Sequence, residues 1–284
     1  IQLDYIDLIN RYGVNNMTIN LQLSYVDFLV DYLDKKDEAI IFLKNNLKVE
    51  MAKFTVARLK LKMADTLLKQ KQFNRALVFY IQVQNMVKNS TLAQEARFKA
   101  AKTSYYKGDF GWAVNQLKIL KSSSSQLIAN DALELQLLIT DHMSIDSVQS
   151  HLKLYTKADF LKFQNKPNEA LKVLETLIKN YPKNNIVDEA LMFQANIFED
   201  QLKFIAAAEK YMTIIQNFST DILVDDAYFA LAELYRNNLN SPTKALNYYK
   251  IIIFEFQDSI HFVESKKHYR SLRDQLENKF KKSI

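Results

Sequence analysis

PNEALKVLETLIKNYPKNNIVDEALMFQANIFEDQ, residues 167–201, decides the architecture. A first helix closes at Asn180-Tyr181-Pro182, because proline brings no N–H and turns the residue before it away from helical angles. A polar turn follows, and Asp188-Glu189-Ala190 opens the next helix with carboxylates in its first turn, where they offset the helix dipole. Ala170, Leu174 and Leu177 fall on one stripe of the first helix, and Leu191, Ala195 and Phe198 form the same kind of stripe on the second. Small residues stand where two helices must approach closely, and large ones fill the space beside them.

The unit recurs. The small residues after each turn between the first (A) and second (B) helix are Ala39, Ala76, Ala113, Ala170, Ala207 and Ala245, at spacings of 37, 37, 57, 37 and 38. A period in this range with two helices per unit is the mark of a helical solenoid. The spacing of 57 leaves room for one extra helix, expected at 124–141 around Leu127, Ile128, Leu133, Leu137 and Leu138. Tyr80, Leu117, Leu174, Tyr211 and Tyr249 follow their alanines by four, and Phe73, Phe110 and Phe204 precede theirs by three. Ala64, Ala101, Ala158 and Ala195 lie twelve before an anchor and Ala232 lies thirteen before, whereas Asp27 stands where the first unit should have a small residue.

This pattern resembles the tetratricopeptide repeat, most closely in QFNRALVFY (72–80), KGDFGWAV (107–114) and EALKVLETLIKNYP (169–182). The resemblance implies an all-α, right-handed superhelical solenoid of helix-turn-helix repeats. The repeats are expected at about 20–50, 57–90, 94–123, 151–184, 188–220 and 225–258, in a single domain over 1–284. An amphipathic helix at 1–12 precedes them. A last helix at 260–281 carries Val263, Leu272, Leu276 and Phe280 among Lys266, Lys267, Arg270, Arg273, Lys279, Lys281 and Lys282, which suits the polar cap that a solenoid needs. The joints NYPKNNIVDEAL and NFSTDILVDDAY are similar to those of bacterial outer-membrane assembly lipoproteins and the periplasmic Tol-Pal coordinator family. That likeness implies a periplasmic, outer-membrane-associated protein, with a cytoplasmic adaptor as the alternative. Starting at Ile1, the chain reads as a fragment or a processed form, with any lipid anchor outside it and further repeats possible before it.

Composition narrows the function. Gly13, Gly108 and Gly111 are the only glycines, too few for a P-loop, a dinucleotide fingerprint or a nucleophile elbow. With no cysteine there is no disulfide, thiolate zinc site or cysteine nucleophile. The net charge is +6, but residues 1–40 carry −4 and residues 44–72 carry +6, an alternation that reads as solvated surface rather than a nucleic-acid track. No apolar run is long enough to span a bilayer.

Neither a catalytic nor a metal site is expected. Asp188-Glu189 and Asp225-Asp226 sit where first-turn carboxylates belong, and Ser122 to Ser125 read as a turn with an N-cap. His261, Glu264 and His268 share a helical face, but seven residues of helix separate the two imidazoles by about 10 Å. The expectation is a non-catalytic, cofactor-free scaffold that binds a peptide or partner helix in the groove lined by the A helices, with RNA binding through the basic stretch 44–72 as a third reading after the cytoplasmic adaptor. The candidate groove residues are Phe98, Lys102, Tyr105, Tyr106, Tyr155, Asp159, Met192, Asn196, Phe229, Glu233 and Arg236, with Glu199 beside them. Rigid aromatics with a few polar groups suit such a partner. The carboxylate clamp known in the resembled family is missing, since its positions hold Leu61, Asp65, Glu95, Phe98, Lys99, Met192 and Phe193.

Overall fold

The computed structural model describes residues 1–123, 125–143 and 149–282, and the side chains up to 278. Among these residues every regular element is helical. The chain divides into two compact units, Ile1–Lys166 and Pro167–Ile284. Unit 1 holds α1 (Gln2–Tyr12), α2 (Ile19–Asp27) running into a π-helical turn (Phe28–Tyr32), α3 (Lys36–Asn46), α4 (Lys53–Lys69), α5 (Phe73–Met86), α6 (Thr91–Lys107), α7 (Phe110–Leu120), α8 (Gln126–His142) and α9 (Ser150–Phe163). Unit 2 holds α10 (Pro167–Asn180), α11 (Ile186–Asp200), α12 (Phe204–Asn217), α13 (Val224–Asn237), α14 (Pro242–Glu255) and α15 (Phe262–Lys282). Within each unit successive helices pack as hairpins, α4 on α5, α5 on α6 and α6 on α7 in the first, α11 on α12 and α13 on α14 in the second. The inserted helix is α8, packed on α7. Ser125 caps it by accepting from the Ile128 N–H, while Ser124 lies outside the described residues.

Burial follows the alanine register. All six anchor alanines are fully buried, as are Ala64, Ala101, Ala158, Ala195 and Ala232 on the A helices. Interiors have no spare volume, so these methyl groups set how closely each helix pair approaches. The residues four after the anchors (Tyr80, Leu117, Leu174, Tyr211 and Tyr249) fill the space beside them and are equally buried.

Each A-to-B turn contains one residue with left-handed backbone angles, always five before the anchor alanine: Asp34, Lys71, Gly108, Asn165, Leu202 and Asn240, with φ between 48° and 85°. Such a residue closes a helix by returning the next N–H to the last turn's carbonyls. In four turns that bond spans five residues: Gln72 to Leu67, Asp109 to Ser104, Lys166 to Leu161 and Lys203 to Phe198, at 2.8–3.0 Å. In the other two it spans six, Lys35 to Leu29 at 2.8 Å and Ser241 to Tyr235 at 2.9 Å. The longer turn explains why Ala232 stands thirteen before its anchor. It also corrects the first repeat. There the π-helical turn absorbs the extra residue, so the core position belongs to Val26, fully buried, and Asp27 points out of the core.

The joints from B helix to next A helix repeat as well. Asn184 N–H donates to Tyr181 O, Asp221 to Phe218 and Ser259 to Phe256, at 3.0–3.1 Å. By this register α15 is an A helix, with Ser265 at the place of Ala190 and Ala227, all three fully buried. Arg270 takes the place of Ala195 and Ala232 and is exposed. A guanidinium where a B helix would press its backbone makes α15 a polar cap. The side chains of Lys279, Phe280, Lys281 and Lys282 lie outside the description. The carboxylate pair Asp188-Glu189 lies in the first turn of α11, as expected. Asp188, however, is buried, at 3% exposure.

Candidate functional site

In unit 1 the exposed face of the A helices α2, α4 and α6, together with the end of α9, encloses a cavity of about 270 Å3. Val30, Leu68, Phe98, Tyr106 and Phe163 give it apolar walls, and Asp27, Lys62, Asp65, Lys69, Lys99 and Lys102 ring it with charge. The π-helical turn supplies Val30 and comes directly after Asp27, a local distortion of a kind that is frequent at functional sites.

The charges are organised as a ladder between neighbouring A helices. Lys62 of α4 reaches Asp27 of α2 at 2.6 Å, and Lys69 pairs with Asp31. Lys99 of α6 reaches Asp65 of α4 at 2.8 Å and Glu95 on its own helix at 3.1 Å. Lys102 faces Asp159 of α9 at 3.7 Å, and Tyr106 donates to the same carboxylate at 3.3 Å. Burial pushes the Asp159 carboxyl up, against the pull of Lys102. Burial alone would lower Lys99, but Asp65 and Glu95 outweigh it and hold the ammonium above its usual range. From behind, the B-helix Tyr80 donates to Asp65 at 2.6 Å and so fixes the carboxylate's direction. Burial, with Asp65 adding to it, holds the Tyr80 hydroxyl well above its usual range, so it stays a donor.

Unit 2 repeats the tyrosine device. Tyr211 donates to Glu199, with the Asn196 side chain 3.0 Å from the same hydroxyl, and Tyr249 donates to Glu233. The tyrosines four after Ala76, Ala207 and Ala245 therefore orient polar groups on the A-helix face. At the last repeat that face is covered. The His261 ring stacks on Phe229 at 4.1 Å and 6°, and its Nε2 lies 2.7 Å from Asp226. Arg236 pairs with Glu233 at 2.7 Å and donates to the Nδ1 of His268.

The expected groove thus resolves unevenly. Phe98, Lys102 and Tyr106 meet at the unit 1 cavity, with Asp159 at its edge. Tyr105 is not a groove residue. It is completely buried, because its place on α6 turns its ring into the hairpin core against Phe110. Tyr155 is half-buried on α9 outside the cavity lining. Met192 and Asn196 lie on the α11 face, half-buried and exposed respectively. Phe229, Glu233 and Arg236 do not line an open trough either, since His261, just before α15, lies against Phe229 and His268 of α15 lies against Arg236. Sequence reasoning missed Asp27, Lys62, Lys69 and Phe163. The legible signal was opposite charge one repeat apart: Asp27 with Lys62, Asp31 with Lys69 and Asp65 with Lys99.

Among the described residues no group of three or more His, Cys, Asp or Glu is placed to hold a metal ion, and no described helix is long and apolar enough to cross a membrane. Residues 154–184 match the tetratricopeptide repeat family model. The chain is similar to tetratricopeptide-repeat proteins. Among solved structures it is similar to the P58(IPK) tetratricopeptide domain, at 17% identity and a TM-score of 0.35, covering 90% of this chain and 66% of that one. It thus spans just under two thirds of that structure. It is also similar to a tetratricopeptide repeat protein from Parabacteroides merdae, at 13% identity and a TM-score of 0.39, covering 96% of this chain and 91% of the other. No curated protein matches the chain in sequence.

Proposed function

We propose that the protein is a non-catalytic scaffold that docks a segment of another protein on the A-helix face of unit 1. The observation that carries this reading is the cavity of about 270 Å3, apolar in its walls and rimmed by charges whose directions are already fixed. A pre-formed concave site with convergent polar groups is the usual form of a binding site. Fixing its side chains in advance removes part of the ordering cost of association. The test is a selection of phage-displayed peptides on the immobilised full chain. Enriched peptides are expected to compete with one another and to lose about tenfold or more in affinity on Phe98→Ala, a wall residue outside the hairpin core. An empty selection, or peptides indifferent to Phe98→Ala and to Tyr106→Ala alike, would sink the reading.

The compartment in this reading is the bacterial envelope, on the likeness of the joints at 180–191 and 217–228 to envelope repeat proteins. Cell fractionation of the full-length protein tests it, and recovery in the cytosol would move the scaffold to the alternative role of a cytoplasmic adaptor.

A further inference from the structure

We infer that the unit 1 cavity reads a single large uncharged side chain of its protein partner, and does not recognise a charged group. This rests on the docking function proposed above and names the chemistry of the docked group. Every charged residue on the cavity wall already has a partner inside the chain: Lys62 with Asp27, Lys69 with Asp31, Lys99 with Asp65 and Glu95, and Lys102 with Asp159. Asp65 is held twice, by Lys99 and by the Tyr80 hydroxyl. An incoming carboxylate or ammonium would have to displace one member of a half-buried pair and strand the other, which costs more than the new pair returns. The apolar walls (Val30, Leu68, Phe98, Tyr106 and Phe163) have no such competitor, and covering them releases water. About 270 Å3 accommodates one bulky side chain rather than a row of them. The ion pairs therefore exclude charged anchors and leave an uncharged aromatic or long aliphatic residue as the group that fits.

The experiment is the peptide selection run in parallel at about 50 mM and about 500 mM NaCl, a range over which exposed charge–charge attraction is largely screened. The expected peptides share one Leu, Met, Phe or Trp whose replacement by Ala, Asp or Lys abolishes binding, and their Kd shifts less than about threefold between the two salts. Peptides anchored by an acidic or basic residue, weakening more than about tenfold between the two salts, overturn the inference. If those peptides still depend on Phe98, the docking function survives and only the anchor chemistry is wrong. Peptides independent of Phe98 would remove both.

Discussion

The two units use the same repeat to opposite ends. In unit 1 the A-helix face is left open, and its charges are neutralised by pairing from one A helix to the next, Asp27 to Lys62 and Asp65 to Lys99. In unit 2 the equivalent face of the last repeat is closed by α15, with His261 stacked on Phe229 and His268 bound by Arg236. The difference lies outside the core, since Ala64, Ala101, Ala195 and Ala232 are buried alike in both units. A shared core register can therefore carry a docking surface in one place and a cap in another, with side chains on the outer face deciding which.

The largest expected effect separates core from groove. Tyr105→Ala removes a completely buried ring and should cost about 3–5 kcal/mol in unfolding free energy. Phe98→Ala, at the half-buried cavity wall, should cost far less and act on binding. Equal destabilisation by the two in denaturant titrations would erase the distinction between the faces of α6.

Next comes Asp188 in unit 2. Burial first, and then the neighbouring Glu189 and Asp221, push its carboxyl up to about 8. An unfolded aspartate titrates near ~3.9. Between those values the folded chain holds a proton that the unfolded chain releases, so this group's contribution is fully present below about pH 4 and is lost as pH rises through about 8. Asp188→Asn should flatten that fall and stabilise the protein by about 1–3 kcal/mol at pH 8. A variant less stable than the parent at pH 8 would show that the carboxylate is paired.

A smaller effect tests the cap. His261→Ala removes the stack on Phe229 and should loosen α15 by about 0.5–1.5 kcal/mol, seen as faster amide hydrogen exchange in residues 262–272 with α4 to α6 unaffected. Unchanged exchange would mean that the unit 2 face is closed by something other than the histidines.

The smallest concerns a turn. Leu202 adopts left-handed angles at φ 59° and is exposed, so its side chain contributes strain and little packing. Leu202→Gly should stabilise the fold by about 0.5–1 kcal/mol, whereas Gly108→Leu, at φ 85°, should destabilise it by a similar amount. If both changes were neutral, the six turns would not share one backbone requirement.

The repeat was readable because alanines can recur at 37 residues only if helix pairs stack at a constant distance. Reading Asp27 as a flaw in the first repeat failed for a physical reason. A π-helical turn shifts the register by one residue, and single-sequence periodicity has no mark for it. The cavity was half legible. Phe98, Lys102 and Tyr106 are placed by their positions on α6, but Tyr105 differs from Tyr106 by a rotation of about 100° around the helix, which spacing alone resolves poorly. Closure at Phe229, Glu233 and Arg236 depended on His261 and His268, whose shared helical face was visible but whose neighbours were not. Asp188 looked like any first-turn acid, because burial is a property of the assembled fold.

The inter-helix ion pairs of unit 1 also have a mechanical meaning. Asp27–Lys62, Asp31–Lys69 and Asp65–Lys99 each tie one A helix to the next around the cavity rim, while the core of the same hairpins is filled by buried apolar side chains such as Val83 and Leu117. Spreading the A helices apart must stretch short, directional tethers, whereas the apolar contacts of the core have no preferred direction. Separating the A helices of unit 1 would break all three pairs together, so these pairs, as well as the core behind them, hold the cavity walls at their spacing.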